Sequence, residues 1–401
     1  WVKIRVPQTG YYQLTAADLQ DVGFNDIEKV KVYGYGGALQ PEVLTGDYLK
    51  QTDDLSEVPT VTSNGKKVFF AQGPVTWSSK DAQRVFNPYS SYGYYFLTEG
   101  DNPATVTQDE MKSLYYPADA DYHSLYEKDE FAWYHGGRNL FENKKLTSSK
   151  TDYIIQTPGH CATGTVSVCV SAATSSSVQI SFNDEVTRTM TISSPATYSG
   201  ANKNLITFDV DNIKATNTVS LTNRSSCDMR LDYICINYDQ PAPMADIAQT
   251  LPSPEYVAYL DNQNLHADSC VHMVIIVPEN GKMDAVAYRL KDYHETKDSM
   301  NVKIIHDYEL YHEFSSGTPD ANAYRRYLKM LYDKAGDNMN GMPRYLLLLG
   351  DCAWDNRMVS NDWKTENPKD YLLCYESENS FSETECYMME DYFGLLDDGE
   401  G

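Results

Sequence analysis

The run Tyr345-Leu346-Leu347-Leu348-Leu349, closed by Gly350-Asp351, constrains the fold more than any other stretch of this chain. Such a run has no polar face. A strand built from it needs apolar cover on both sides, and a parallel sheet with helices on both faces supplies that cover. The preceding residues agree. In Glu313-Phe314-Ser315-Ser316-Gly317-Thr318-Pro319-Asp320, Gly317 suits a turn, Thr318 an N-cap and Pro319 the first helical position. Asp320 complements a positive helix N-terminus. Tyr324, Tyr327, Leu328 and Leu331 then recur at helical spacing, so a helix launched at Thr318 is expected.

Upstream, Val271-His272-Met273-Val274-Ile275-Ile276-Val277 reads as a second buried strand ending at Pro278-Glu279. A helix is expected from about Met283 to Asp298, and a strand over Asn301 to His306. The order is β-α-β-α-β, which makes a three-layer α/β unit with right-handed crossovers. Ligands of such sheets bind beyond the carboxyl ends of the strands. Those ends carry Glu279, His306, Asp307, Asp351 and Cys352. Cys352 as a thiol nucleophile, His306 as its base and Asp307 as the orienting group is one reading of that edge. The plainer reading makes Cys352 a small apolar residue and the other two loop caps.

Before residue 240 the period is different. Residues 1–115 read as a β-rich domain, with strands at Val2 to Val6, Tyr11 to Leu14, Lys29 to Tyr33, Lys66 to Ala71 and Tyr94 to Leu97. Thr15-Ala16-Ala17-Asp18 resembles a capping box for a short helix. Gly34-Tyr35-Gly36-Gly37 is expected to be a turn and not a phosphate loop, because Pro41 follows soon after. Residues 116–150 read as a connector with helical character, and His135-Gly136-Gly137 in it as a surface turn. Residues 151–240 hold short alternating segments parted by Ser, Gly and Asn turns, the pattern of a β-sandwich or jelly roll. Residues 241–265, rich in proline, read as a linker, and residues 266–401 as the α/β domain.

The net charge of -24 excludes a phosphate-neutralising basic surface, so no nucleic-acid partner is expected. No apolar run approaches a membrane span. Cys161 and Cys169 are eight apart, as are Cys227 and Cys235. Either pair could close a disulfide in an oxidising compartment, and free buried thiols fit as well. The tail from Glu390 to Gly401 is dense in carboxylates. Asp391, Asp397, Asp398 and Glu400 are calcium candidates, since hard cations take several oxygen ligands. The spacing is not that of an EF-hand, and a solvated acidic turn between two strands is the plainer reading. No cofactor is required.

Three stretches together resemble the gingipain-like cysteine peptidases: Glu313 to Asp320, Tyr345 to Asp351, and Asp391-Tyr392-Phe393-Gly394-Leu395-Leu396-Asp397-Asp398-Gly399-Glu400-Gly401. Within that family the resemblance is to the C-terminal signal peptidases, or sortases, of type IX secretion. The opening Trp1-Val2-Lys3-Ile4-Arg5-Val6, with Gly10 and Tyr12, is similar to the start of their mature chains. The resemblance covers residues 271–401 strongly and the β-rich remainder weakly. It implies a caspase-like α/β fold, of which this chain holds the N-terminal half. It implies peptide-bond cleavage through a thioester by a Cys-His dyad at the carboxyl edge of the sheet. It also implies exported protein substrates, and a bacterial location outside the cytoplasm, at the outer membrane or secreted.

No cysteine or histidine here matches the family's dyad, which is expected after Gly401. No catalytic residue is therefore carried over, and Asp351 and Asp391 match only supporting positions near the rim. Three accounts follow: a piece of a longer peptidase, a processed chain paired with a second chain bearing the dyad, or an inactive relative. The alternative from another class is a non-catalytic surface protein that binds a protein or glycan through its β-domains.

Overall fold

The structure is a computed structural model and describes residues 1–81, 83–158 and 162–401. The N-terminal region is built on an antiparallel five-stranded sheet. Its order is Glu255–Tyr259, Val2–Val6, Gly93–Glu99, Val30–Tyr33, Glu57–Val58. A second sheet of Gly10–Thr15, Lys66–Ala71 and Thr60–Ser63 packs against it. Val2, Ile4, Val6, Val32, Phe69 and Leu97 close the core between them. Helix Ala16–Asp21 starts from the expected capping box, with Thr15 and Asp18 bonding each other's backbone N–H. Glu255–Tyr259 lies in the stretch read as a linker. It pairs with Val2–Val6 because that strand would otherwise expose an edge.

The sandwich has two four-stranded antiparallel sheets. One runs His123–Glu127, Met229–Tyr238, Gly164–Ala172, Asn202–Val210. The other runs Thr151–Gln156, Thr216–Asn223, Ser176–Phe182, Val186–Ile192. Alternate residues such as Val166, Val168, Val170, Ile180, Phe182 and Leu221 point between the sheets and are fully buried. His123–Glu127 corrects the expected helical character of residues 116–150. The stretch has one turn of 3-10 helix, Asp119–Tyr122, and then a strand that covers the edge of Met229–Tyr238.

The α/β unit has a parallel sheet in the order Val302–His306, Met273–Val277, Tyr345–Leu348. Met273, Ile275 and Val277 face helix Asp284–Lys297 through Ala287 and Leu290. Val274 and Ile276 face the other way, toward helices Asp307–Phe314 and Asn322–Ala335. The period of two thus divides one apolar strand between two helical layers, as a parallel sheet requires.

The Glu313 to Asp320 stretch joins this unit to the N-terminal region. The Ser316 hydroxyl accepts from Tyr35 N at 2.9 Å and donates to Tyr94 O at 3.3 Å. The Thr318 hydroxyl accepts from Tyr94 N and donates to Gly36 O. Gly317 lies at φ +75°, and a Cβ there would meet Phe96 at 2.6 Å. These contacts correct the expected helix start. Thr318 is used to dock a neighbouring strand, not as an N-cap, and the helix begins at Asn322. Asp320 Oδ1 accepts from Asn322 N and Oδ2 from Gln40 N.

Candidate active-site rim and edge groove

The three parallel strands bring Glu279, His306 and Asp307, and Asp351 and Cys352 to one edge of the sheet. They do not bring His306 to Cys352. The central strand Met273–Val277 separates the two flanks, which places them about 10 Å apart in the hydrogen-bonding direction. His306 instead meets Asp284 at 3.0 Å and Glu309 at 3.4 Å. Asp307 turns into the protein, where Oδ1 accepts from Tyr308 N and Oδ2 from the Tyr311 hydroxyl. The Cys352, His306, Asp307 arrangement is therefore not assembled.

Burial pushes the Asp307 carboxyl up to about 7, against the pull of those two donors. Facing it is Lys3, 7% exposed, with its ammonium 4.5 Å from the centre of the Tyr94 ring. Burial pulls Lys3 down to about 7, while Glu279 and Asp307 act in the other direction. Lys3 was not legible as a rim residue. In Val2-Lys3-Ile4-Arg5-Val6 it falls on the polar side, and only the docking of Gly317 over its stem encloses it.

The pH dependence follows from the sign of the Asp307 shift. Its folded value of about 7 lies above the ordinary 3.8, so the folded state holds the proton longer. The associated stability is present in acid and is lost as pH rises from about 4 to about 7, on the order of 1.4 kcal/mol per pH unit. Asp307→Asn is expected to flatten this slope. Urea midpoints of both proteins across that range check it, and parallel curves would contradict it.

Cys352 lies on the other flank. Asp351 and Cys352 pair in parallel with Tyr371 and Leu372. Asp351 is exposed, and its Oδ1 accepts from Cys352 N at 2.9 Å. Cys352 Sγ lies 3.4 Å from Met388 Sδ, and Cys374 Sγ lies 3.5 Å from Ala353 O. Cys352 and Cys374 thus meet a thioether, a backbone carbonyl and a side-chain amide. Cys227 packs toward the sandwich core while Cys235 lies on the opposite sheet face with Tyr233, so of the two readings left open for this pair the free thiols hold. Cys169 is a free thiol, and Cys161 lies outside the described residues.

A groove of about 510 Å³ follows the outer edge of Tyr345–Leu348. Leu346, Leu348, Leu328, Phe393 and Leu396 line it, and Asp391 stands on its wall. The wall is the 3-10 turn Glu390–Gly394, held by buried Tyr392 and Phe393. The tail beyond it is tied down by side chains of helix Asn322–Ala335. Arg325 donates to Leu395 O, Glu400 O and Glu42 O.

Lys329 meets Asp398 at 2.7 Å, the Tyr332 hydroxyl donates to Asp397, and Glu400 accepts from Asp397 N. The calcium candidates Asp391, Asp397, Asp398 and Glu400 are thus spread over separate partners. Among the described residues no group of three or more His, Cys, Asp or Glu side chains could hold a metal, so the donor set calcium needs does not form. Within these residues the tail is a turn pinned to helix Asn322–Ala335.

A second cavity, about 480 Å³, lies between Trp1, Tyr33, Phe96 and the end of helix Asp307–Phe314. Glu313 reaches it, but its carboxylate already accepts from Gln263 Nε2, Leu265 N, His266 N and His266 Nδ1. Glu313 therefore has a structural role.

The unit carrying the rim and groove has relatives. Residues 266–400 match the model of peptidase family C25. They form a gingipain-like peptidase region. The fold of the whole chain is similar to that of dimeric latent PorU from Porphyromonas gingivalis, with a TM-score of 0.78 at 24% identity. That match covers 99% of this chain and 46% of the PorU chain, so this chain spans about half of PorU's length. A family 35 carbohydrate binding module from Cellvibrio japonicus Abf62 also matches, at 13% identity and a TM-score of 0.21, over 31% of this chain and 99% of its own. No curated protein matches. Against the C25 region, Asp351 stands at the rim and Asp391 stands along the groove beside the edge strand.

Proposed function

We propose that this chain is the N-terminal part of a C25-type cysteine endopeptidase whose Cys-His dyad lies on chain outside these residues. In this reading the dyad-bearing segment adds a strand beside Tyr345–Leu348 and fills the groove. The observation that carries it is the C25 match over residues 266–400 joined to a parallel edge strand that has no partner on its outer side among the described residues. An edge strand presents unpaired N–H and C=O groups and calls for a partner strand. Here its flank is apolar, with Leu346 and Leu348 facing the groove.

The resemblance to type IX sortases, and the fold shared with PorU, support a finer reading. The enzyme removes C-terminal sorting domains from exported proteins and works outside the cytoplasm. The finding that no described helix is long and apolar enough to cross a membrane is compatible with this. Asp351 and Asp391 then have supporting roles at the rim and on the groove wall.

The test compares the 401-residue chain with the full encoded protein on a substrate carrying a C-terminal sorting domain. Cleavage by the full protein, blocked by a thiol alkylating agent and absent with this chain alone, is expected. Failure of the full protein to cleave, or to bind a thiol-directed peptide inhibitor, would favour a non-catalytic binding protein.

A further inference from the structure

The cavity between Trp1, Tyr33 and Phe96 has a chemistry that neither the rim nor the edge groove uses. Its aromatic side is held in place by neighbours. The Trp1 and Tyr33 rings meet edge to face at 5.3 Å, the Trp1 indole donates to Asn262 Oδ1, and Phe96 meets His312 edge to face at 5.8 Å. Three carboxylates, Asp53, Asp54 and Asp261, stand exposed at the mouth. Arg326 anchors the loop that carries the first two, through Thr52 O and Thr52 Oγ1. Among the described residues none of the three is paired with a lysine or arginine, and none lines the cavity. Asp53 has only His266 Nε2, at 3.7 Å, and Asp54 accepts only from Leu55 N.

His312 adds an acceptor that nothing answers. It is 8% exposed and lines the same space. Gln263 Nε2 donates to Glu309 O and Glu313 Oε1, which turns Gln263 Oε1 toward His312 Nδ1 at 3.2 Å. Nδ1 therefore carries the proton and Nε2 keeps its lone pair. Burial, with Lys3 adding to it, pulls the imidazole down to about 2 and keeps it neutral. Nε2 has no hydrogen-bond partner among the described residues.

We propose that this cavity binds an organic cation on an apolar stem, the chemistry shared by a lysine or arginine side chain and a free alkyl diamine. The carboxylates at the mouth draw the cation in, and the aromatic walls take its stem and face its charge. The head carries several N–H donors, one of which answers His312 Nε2. Glu313 takes no part, because four donors already fill its oxygens. The inference does not depend on the peptidase reading.

The experiment titrates the full encoded protein by calorimetry at low salt with three probes: the blocked tripeptide acetyl-Gly-Lys-Gly-amide, its norleucine counterpart, and the free diamine cadaverine. A cationic probe is expected to bind, and to bind less tightly as salt is raised. The norleucine peptide keeps the stem without the charge and is expected not to bind at the same concentrations. Binding of the lysine peptide alone would assign the cavity to a side chain of a polypeptide, and binding of cadaverine alone to a free amine. Asp53→Asn, Asp54→Asn and Asp261→Asn combined are expected to weaken the cation about tenfold or more, with the urea midpoint unchanged. Should that variant unfold earlier, Asp261→Asn alone carries the test, with a loss of about threefold expected. Equal binding of the lysine and norleucine peptides, no binding of either cation, or full affinity in the folded variant would overturn the proposal.

Discussion

Replacing Arg326 by alanine is expected to lower the stability of the protein by about 3–5 kcal/mol. Arg326 is 3% exposed in the seam between the N-terminal region and the α/β unit. Its guanidinium donates to the Tyr35 hydroxyl, Gln40 Oε1, Phe314 O, and both Thr52 O and Thr52 Oγ1. Alanine would leave the buried Gln40 Oε1 without this donor and would take from Phe314 O one of its two donors, the other being Gln40 Nε2. It would also remove the cation beside Asp320, whose carboxyl burial already pushes up to about 7. Arg326→Lys should recover only part of the loss, because one ammonium cannot span acceptors on both sides of the fork. Urea unfolding of the three proteins measures this. A loss below about 1 kcal/mol would place Arg326 among surface-like pairs.

Phe393→Ala is expected to cost a similar amount, about 3–5 kcal/mol, for a different reason. Phe393 is fully buried, with its ring 5.6 Å from Tyr324 and 5.8 Å from Tyr392. Removing it leaves a cavity beneath the turn Glu390–Gly394, and that turn is the groove wall that carries Asp391. Neighbouring contacts remain, since Tyr392 stacks on Tyr375 at 3.6 Å and Arg325 holds the tail. Faster amide exchange should therefore be confined largely to residues 390–396. Exchange spread evenly over the chain would show that the wall is not a separate unit. In the proposed peptidase, the variant should also weaken addition of a strand at the Tyr345–Leu348 edge.

Much of this architecture was readable from side-chain period alone. The alternation in Thr165 to Val170 and Ser177 to Phe182 forced half-buried strands. The uninterrupted run at Tyr345 gave the strand itself, but the expected burial on both faces is not reached: it is an edge strand, with Tyr345 exposed and Leu346 to Leu348 half-buried. The family resemblance of residues 271–401 was also carried by local strings. Less was legible where a residue's role depends on what arrives from far along the chain. Thr318 has the chemistry of an N-cap, yet its hydroxyl is taken by Gly36 and Tyr94. Lys3 has the pattern of an exposed strand residue, yet Gly317 and Tyr94 enclose it.

The tail carboxylates show the same division. Their density was visible and suggested an oxygen cage, but density does not set direction. Lys329 and Tyr332, on one helix, draw Asp398 and Asp397 to separate partners. Spacing likewise left a Cys227–Cys235 bridge open as one reading, whereas the sheet sends the two side chains to opposite faces. The sequence by itself determined which segments are strands or helices and which faces are apolar, because those properties follow from local geometry and transfer energy. Only the tertiary structure decided which polar groups meet, because a hydrogen bond or ion pair acts over a few ångströms and depends on where distant segments dock.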